Sequence, residues 1–325
     1  MPNVNAGSFY AEYKGHPLEL CENIHSTLSV ADSRPCIFLA GDSSLDNKHW
    51  YFDGFASKKN QLKRSPPPHF VAPALNGFET LLSPPRMVKD VAYFVNKELS
   101  EHPPDQPAPY CLNLSVEEST VGERTETLKS PNPPSLLPHD EFVKARATAG
   151  DTVILSVGGN DVALKPTKMT IASVFLLTRT PLWALKFLGP WSPGWGHLED
   201  LFHSQIQAML DNLLSSPSPP SRVLVCMIYF LDETPGDSWA DTVLERLGYD
   251  ADPEKLQYII RALYERIKDK GFRAPDSGAT RIETFPLFEV LDGKDSSDYE
   301  QRVEPSVQGS EKMAKAFVGH LFPNK

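Results

Sequence analysis

Short apolar runs recur along the chain, separated by polar and proline-rich stretches. Runs of this length, rich in valine, isoleucine and leucine, are suited to strands of a parallel sheet that is covered on both faces. Five runs fit this description: Cys36 to Ala40, Tyr110 to Val116, Thr152 to Val157, Arg222 to Tyr229 and Thr280 to Pro286. The pattern therefore predicts five buried strands.

Apolar residues at helical spacing occupy several of the stretches between these runs. They predict helices over Pro85 to Leu99, Leu198 to Leu214, Pro253 to Lys270 and Ser306 to Leu321. Asp252 is the expected N-cap of the third helix, which ends before a glycine. Strands that alternate with helices imply right-handed crossovers. The expected fold class is therefore α/β, a flavodoxin-like three-layer αβα arrangement with a five-stranded parallel sheet.

The 30 prolines are clustered, and proline ends helices and strands because it lacks a backbone donor and restricts its neighbour. Each cluster predicts a loop between elements and not a domain boundary. The clusters are Pro66 to Pro68, Pro84-Pro85, Pro103-Pro104, Pro131 to Pro138 and Pro217 to Pro220. The expected organisation is an N-terminal extension over 1–34 that packs on one domain over 35–325. That domain carries an apolar insertion at about 165–197.

Composition and charge narrow the possible partners. Apolar residues make up 40% of the chain and charged residues 23%, as in an ordinary globular protein. The net charge of −10 and the absence of a basic stripe argue against nucleic acid, and an acidic surface disfavours anionic membranes by charge alone. No C-x-x-C pair or apolar leader is visible, so we expect buried free thiols and a cytoplasmic location. The most apolar stretch, Ile171 to Trp191, is too interrupted to predict a transmembrane segment.

A polar turn, Gly41-Asp42-Ser43-Ser44, directly follows the first predicted strand. A serine at a strand-to-helix turn is exposed at the carboxyl edge of the sheet, where its hydroxyl and nearby backbone N–H groups can face one substrate. This geometry suits a nucleophile with its own oxyanion donor. A turn that caps the next helix is the simpler explanation of the same residues.

The third predicted strand is followed by Gly158-Gly159-Asn160-Asp161. The amide of Asn160 could donate a hydrogen bond to a developing oxyanion, and the glycines allow close approach of the backbone. A Gly-Asn turn in which Asp161 caps the next helix is the alternative. In a flavodoxin-like sheet, sites form at the carboxyl ends of the strands near the switch point, so both turns are candidates for chemistry.

Together, the two turns resemble the first and third blocks of the SGNH (GDSL-type) hydrolase superfamily. The stretch Asn113 to Thr120 looks like a diverged second block, in which the family supplies a glycine whose backbone N–H enters the oxyanion hole. Glu118 stands at that position, and its carboxylate would oppose an oxyanion unless it points away. The resemblance implies the SGNH hydrolase fold with Ser43 as nucleophile and Asn160 as a catalytic residue. The implied oxyanion and binding positions are Gly41, Asp42, Glu118, Gly158, Gly159 and Asp161.

The stretch from Glu304 to Gly309 is similar to the end of the family's fifth block. Its Pro-Ser-x-x-Gly part matches, but Gln301 stands where the family has aspartate and Glu304 where it has histidine. A serine hydroxyl needs a base, and a carboxyl with an ordinary pKa of roughly 4.3 is a weak one unless burial raises that pKa. Three explanations stay open: Glu304 is the base, a histidine enters from elsewhere, or the chain has lost esterase chemistry and kept a pocket.

Other polar residues and the apolar insertion have simpler explanations. For each of the nine histidines a surface or capping role is favoured, and His49 is expected on the helix after Ser43, facing away. Asp298 could replace the missing aspartate, but an exposed polar loop is the favoured interpretation. The insertion from Ile171 to Trp195 could be a core helix, an apolar lid or acyl-chain site, or a contact for another subunit.

The leading hypothesis is an SGNH-type serine ester hydrolase or acyl-transfer enzyme that acts on a small-molecule ester or acyl substrate. Ser43 would attack the carbonyl and Glu304 would be the base. The backbone N–H groups of Ser43 and Glu118, with the Asn160 amide, would hold the oxyanion. The alternative is a catalytically inactive SGNH-like protein that binds a ligand or partner, and a third possibility is chemistry other than ester hydrolysis. No cofactor or metal site is expected, and the oligomeric state stays open.

Overall fold

Five parallel strands form the central sheet of the computed structural model, which describes residues 3–51, 67–103, 107–125, 136–275 and 279–323. The strands are β1 Cys36–Gly41, β2 Tyr110–Asn113, β3 Thr152–Ser156, β4 Arg222–Met227 and β5 Arg281–Pro286. Their order across the sheet is β2-β1-β3-β4-β5. The predicted five-stranded parallel sheet with flavodoxin-like order is therefore confirmed.

Helices cover both faces of this sheet. They are α1 Ala6–Phe9, α2 Leu18–His25, α3 Val91–Glu101, α4 Val121–Thr125, α5 Pro138–Arg146, α6 Gly159–Ala163, α7 Lys168–Arg179, α8 Leu182–Leu188, α9 Trp195–Glu199, α10 Ile206–Leu213, α11 Asp241–Arg246, α12 Pro253–Lys270 and α13 Val307–Leu321. Short 3-10 helices cover Asn47–Tyr51, Pro68–Phe70, Phe78–Thr80, Gly189–Trp191, Leu287–Glu289 and Ser296–Asp298, and π-helical turns cover Ser26–Ala31 and Asp200–Gln205. Three strand pairs lie outside the sheet: Val4–Asn5 with Leu82–Ser83, Val71–Pro73 with Arg86–Val88, and Tyr299–Glu300 with Glu304–Pro305.

The crossovers explain how the helices divide between two layers. Right-handed connections place α3 and α13 on one face of the sheet, where they pack against each other. The connections from β2 to β5 place α4, α5, α10 and α12 on the other face, and α10 contacts both α4 and α5. The main hydrophobic core fills the space between the sheet and these layers, and β1 is buried along its whole length.

Several predicted elements are wrong in their bounds. Strand β2 ends at Asn113 and not at Val116, and β4 ends at Met227 and not at Tyr229. The helix predicted from Pro85 begins only at Val91, because Asp90 caps it by accepting from the backbone N–H of Tyr93 at 2.8 Å. Pro138 opens α5 instead of lying in a loop, since the first helical turn tolerates a residue without an N–H. The helix predicted over Leu198 to Leu214 is interrupted by a π-helical turn. The prolines at 66, 104 and 131–135 lie outside the described residues.

The N-terminal residues contact the rest of the chain through backbone hydrogen bonds. Val4 donates to the carbonyl of Leu81 at 2.9 Å, and Gly15 donates to Asp46 at 2.8 Å. The second contact places the N-terminal segment beside the turn that carries Ser43.

No single described helix is long and apolar enough to cross a membrane, although α7 and the segment Leu182–Trp191 pass that test together and are bent by 109°.

Candidate active site

The turn that carries Ser43 begins at a glycine that no other residue could replace without strain. Gly41 has φ +137°, and a Cβ built there would lie 1.8 Å from the Ser156 carbonyl oxygen of the neighbouring strand β3. The Gly41 carbonyl accepts from the backbone N–H of Val116 and from the Arg124 guanidinium, both at 3.0 Å. These contacts fix the exit of β1 from the sheet, and Ser43 follows at its carboxyl edge.

Asp42 directly precedes Ser43, and its carboxyl is held by hydrogen bonds from Ser44. It accepts from the Ser44 hydroxyl at 2.8 Å and from the Ser44 backbone N–H at 3.1 Å. Burial raises the pKa of Asp42 to about 6, against the opposing effect of these hydrogen bonds. Asp42 is therefore ionised at neutral pH and acts as a buried negative charge next to the serine.

The second turn brings Asn160 to the same edge of the sheet. Gly158 has φ +112° and allows the turn that starts α6, where Asn160 lies in the first helical turn. The Asn160 amide nitrogen donates to the Ser119 carbonyl at 3.1 Å. Because a primary amide carries two N–H donors, one further donor is left. A Cβ at Gly159 would lie 3.9 Å from Asp42 Oδ2, so the two turns are in close contact.

One pocket joins these residues. Ser43, Asn160 and Glu304 line it together with Asp42 and Gly159, and its volume is about 110 Å³. A single water needs only roughly 10–15 Å³ by this measure, so the pocket admits an organic group. The remaining walls are mostly apolar, and they include Val162, Ile228, Tyr229, Leu231, Trp239, Val243, Leu244, Leu247, Leu256, Ile260 and Val303.

Glu304 and Asp42 are the two buried carboxyls that line this pocket. Burial and then the neighbouring charge of Asp42 raise the pKa of Glu304 to about 8, while the proximity of the Ser43 side chain lowers it somewhat. The Oε2 atom of Glu304 is buried and accepts no hydrogen bond from any described residue. The backbone beside it is fixed from the first turn, since the Asn47 amide donates to the Pro305 carbonyl at 3.0 Å. A buried carboxyl that contacts a serine and leaves one oxygen without a hydrogen bond is unusual outside functional sites.

A further buried carboxyl, that of Glu117, is not among the residues that the sequence analysis singles out. Burial and the charge of Glu304 raise its pKa well above the ordinary value, and its Oε2 also accepts no hydrogen bond from the described residues. Its backbone N–H donates to Asp46 at 2.9 Å. Its place in the second block, directly before Glu118, was the available signal.

The side chain of Glu118 is directed away from the pocket. Its carboxylate accepts from the Tyr13 hydroxyl at 2.9 Å and lies 3.2 Å from Lys14 Nζ, and it does not line the pocket. Its φ of +59° is in the left-handed region that glycine adopts most easily. A glycine-like backbone thus persists at the position where the resemblance expects glycine.

Two other sequence candidates face elsewhere. Asp161 accepts from the backbone N–H groups of Val121 at 2.8 Å and Gly122 at 3.1 Å, so it joins the second and third turns and does not line the pocket. Asp298 is fully buried and paired with Lys312, so the interpretation of an exposed loop is wrong for this residue.

Gln301 is directed toward α11 and not toward the serine. Its side-chain oxygen accepts from the Trp239 backbone N–H at 3.4 Å, and its carbonyl accepts from the Ser238 hydroxyl at 2.6 Å. All nine histidines lie within the described residues, and none of them lines the pocket. His49 lies in a 3-10 turn with its ring 4.3 Å from that of Tyr13, and His197 is bonded to Thr170 at 2.9 Å. Among the described residues, no group of three or more His, Cys, Asp or Glu is arranged to hold a metal ion.

A buried ion pair lies in the segment that directly follows the Ser43 turn. Asp46 and Lys48 are 0% and 1% exposed, and they pair directly with each other. Burial alone would raise the pKa of Asp46, but Lys48 and the hydrogen bonds that Asp46 accepts hold it below its ordinary value. Through Gly15 and Glu117, the same carboxylate connects the N-terminal segment to the second block.

The substitution Lys48→Met is expected to lower the free energy of unfolding by about 3–5 kcal/mol, because it leaves a buried carboxylate without its counter-charge. Equilibrium unfolding in urea measures this loss. The double variant that adds Asp46→Asn should recover much of it, since no charge then stays buried. A single variant as stable as the wild type would show that the pair contributes nothing.

Comparisons with known proteins find similar solved structures but no similar family model or curated sequence. Among solved structures, a carbohydrate acetylesterase from Sinorhizobium meliloti is 14% identical, with 89% of this chain and 98% of that chain covered and a TM-score of 0.42. An acetylxylan esterase from Geobacillus stearothermophilus is 12% identical, with 88% and 92% covered and a TM-score of 0.40. An aryl esterase from M. smegmatis is 13% identical, with 88% and 98% covered and a TM-score of 0.41.

The assignment of the fold rests on the chain's own sheet and not on these likenesses. The strand order β2-β1-β3-β4-β5 is parallel throughout. The Gly-Asp-Ser turn follows β1 and the Gly-Gly-Asn-Asp turn follows β3, which is its neighbour in the sheet. The chain therefore has a flavodoxin-like three-layer αβα fold, with two polar turns at the carboxyl ends of neighbouring strands.

Proposed function

We propose that this chain is a serine ester hydrolase or acyl-transfer enzyme in which Ser43 is the nucleophile and Glu304 the general base. The observation that carries the proposal is the position of Glu304. Its carboxyl lines the same pocket as Ser43 and Asn160, is unpaired at Oε2, and has a pKa of about 8. A base is most effective when its pKa lies near the working pH, and this carboxyl meets that condition without a histidine.

In the first half of the reaction, Ser43 Oγ forms a bond to the acyl carbon and its proton passes to the Glu304 carboxylate. The carbonyl becomes an oxyanion, which the backbone N–H groups of Ser43 and Glu118 and the remaining amide N–H of Asn160 would stabilise. The bond to the leaving oxygen then breaks. Glu304 returns the proton to that oxygen, so an alcohol leaves and an acyl-serine remains.

In the second half, water or another alcohol attacks the acyl-serine. Glu304 accepts a proton from the attacking oxygen and passes it to Ser43 Oγ as the acyl bond breaks. The product is a carboxylic acid when water attacks and a new ester when an alcohol attacks. Glu304 is regenerated as a carboxylate in either case.

The apolar walls favour an acyl group over a charged substrate. A second, smaller cavity lies beneath α7 and shares the lining residues Val162, Ile228, Leu256 and Ile260 with the pocket. Its lining is entirely apolar. A hydrocarbon chain of a small-molecule ester is the group that such an apolar lining accommodates best.

A reducing, cytoplasmic location is part of the proposal. The cysteines Cys21, Cys36, Cys111 and Cys226 are all buried and free. Burial raises the pKa of each thiol, which makes it an inert core residue and not a nucleophile. Ser43 is therefore favoured as the nucleophile over any cysteine.

The experiment is covalent labelling with a fluorophosphonate probe above pH 8, where Glu304 is ionised. An activated serine is expected to be labelled in the wild type and in Ser100→Ala, which removes an exposed serine in the last turn of α3. Ser43→Ala should abolish the label, and peptide mapping should locate it at Ser43.

Absence of labelling in the folded wild type would contradict the proposal and favour the inactive, ligand-binding alternative. Labelling that persists in Ser43→Ala would remove Ser43 from the catalytic role.

A further inference from the structure

We propose that the outer face of α7, α8 and the turn after them docks on an anionic lipid surface, lying in the plane of the headgroup–acyl boundary. We call this surface the insertion face. It consists of Met169, Ile171, Phe175, Leu176, Trp183, Phe187 and Trp191. The proposal is independent of catalysis at Ser43, since it concerns binding alone.

The helix α7 is apolar on its outer side as well as on its inner side, where Val174 and Leu177 are buried. Its buried positions also include the polar residues Thr170, Ser173 and Thr178, and its exposed positions carry Met169, Ile171, Phe175 and Leu176. A surface helix of a globular protein places its apolar stripe inward. Exposure of these apolar side chains carries no penalty in free energy if the outer face contacts an apolar phase instead of water.

The exposure of the insertion face is large and local. Trp183, Phe187 and Trp191 are 73%, 83% and 88% exposed. Of the ten large hydrophobic side chains that are exposed within the described residues, nine lie between positions 164 and 191. Single exposed apolar residues are ordinary, but a cluster of this kind marks a surface that binds something.

The shape of the two helices fits a surface location. The chain bends by 109° between the segments Lys168–Arg179 and Leu182–Trp191. The exposed aromatic residues Trp183, Phe187 and Trp191 all lie in the segment that follows the bend. Aromatic rings of this kind are the side chains that prefer the interface between headgroups and acyl chains.

The local charge points to an anionic lipid. Residues 162–198 carry Lys165, Lys168, Arg179 and Lys186 and no acidic residue, although the whole chain has a net charge of −10. Two of these cations already face exposed carboxylates, Lys165 at 3.1 Å from Glu123 and Lys186 at 3.5 Å from Glu254. Charge therefore sets the lipid preference, while apolar burial supplies most of the affinity.

The same charges disfavour a second copy of the chain as the occupant. A symmetric dimer places the same patch of both subunits face to face, so Lys168 and Arg179 of one subunit would share that interface with the same two cations of the other. Juxtaposed like charges cost free energy at such an interface. An anionic bilayer meets both the apolar and the basic requirement.

Helix α7 carries part of the insertion face on its outer side and lines the second cavity with its inner side. The inner side of α7 contributes Val174 and Leu177 to the second cavity, which shares Val162 and Ile228 with the pocket of Ser43. Docking through the outer side of α7 would bring the second cavity next to the lipid.

The test is flotation of the full chain with vesicles of phosphatidylcholine alone and of phosphatidylcholine with phosphatidylserine in equal amounts. The wild type is expected to bind the mixed vesicles preferentially, with a blue shift of tryptophan emission. The double variant Trp183→Ser, Phe187→Ser should bind about tenfold or more weakly, because two exposed aromatic rings no longer insert. The control Val30→Ser, which removes an apolar side chain that is 73% exposed elsewhere, should bind like the wild type.

Several results would overturn the proposal. They are failure of the wild type to bind mixed vesicles, equal binding to both vesicle types, and undiminished binding of the double variant. Self-association in sedimentation velocity that the double variant abolishes, without vesicle binding, would assign the face to a second copy. Ser43→Ala should bind vesicles like the wild type, so a failure of the proposed esterase function leaves this test unaffected.

Discussion

Ser43→Ala is expected to lower kcat/KM for hydrolysis of acyl esters by about 10³-fold or more, because the covalent step loses its nucleophile. The loss should appear in kcat, since the apolar walls that bind the acyl group are unchanged. Nitrophenyl esters with short and long acyl chains measure the effect. The long chains should show the lower KM if the acyl group extends into the cavity beneath α7.

The exposed Ser100→Ala variant is the matched control, and its rates should equal those of the wild type. Circular dichroism and thermal unfolding should show that Ser43→Ala is folded, since the substitution removes only one hydroxyl. Equal rates for Ser43→Ala and the wild type would end the catalytic interpretation of this serine.

Glu304→Gln is expected to lower kcat/KM by about 10²–10⁴-fold, the usual contribution of a general base. In the wild type, the base is active only when ionised, so kcat/KM should rise with pH through a midpoint of about 8. At pH 6, two units below that midpoint, the rate should be about a hundredfold below its plateau. The glutamine variant should lack this dependence.

Glu300→Gln is the control, because Glu300 is a half-buried carboxyl on the neighbouring strand that does not line the pocket. Glu304→His tests the role more directly, since histidine has an ordinary pKa of roughly 6.5 and should shift the midpoint downward. A wild-type profile that is already flat from pH 5 upward would contradict a base with a raised pKa.

The convergence of Ser43 and Asn160 on one pocket could be predicted from the sequence. Each follows a strand, and the alternation of strands and helices makes β1 and β3 neighbours. The bounds of β1 were predicted to within one residue, because its apolar run ends where Gly41 turns. Local pattern and topology were sufficient for this half of the site.

The electrostatic half of the site could not be predicted, because it depends on contacts between distant parts of the chain. The outward direction of Glu118 depends on Tyr13 and Lys14, which lie more than a hundred positions earlier. The raised pKa of Glu304 depends on the depth of its burial and on Asp42. Neither quantity is visible in a linear pattern of residues.

The wall formed by Trp239 and the residues of α11 was also missed. It lies in the long connection between β4 and β5, where α11 has only six residues and is too short to give a helical pattern. The folded chain closes one side of the pocket with a small cluster of Ala240, Leu244 and Tyr249, which is separate from the main core. Only the tertiary arrangement identifies this cluster as part of the site.

The buried protonated state of Glu304 sets an alkaline limit on the fold itself. Between the ordinary value of 4.5 and about 8, the folded chain keeps a proton that the unfolded chain has released, so the free energy of unfolding falls as pH rises through this window. Asp42 and Asp90, whose pKa values are raised by burial to about 6 and 7, act in the same direction.

Alkaline pH is therefore expected to increase the rate of the proposed reaction and to decrease the free energy of unfolding. Denaturation in urea at pH 5 and pH 9 should show the wild type losing up to a few kcal/mol, and Glu304→Gln losing measurably less. Identical losses for both chains would mean that Glu304 titrates as an ordinary surface acid. Replacing Glu304 to gain stability in alkali would therefore also remove the proton acceptor of the proposed reaction.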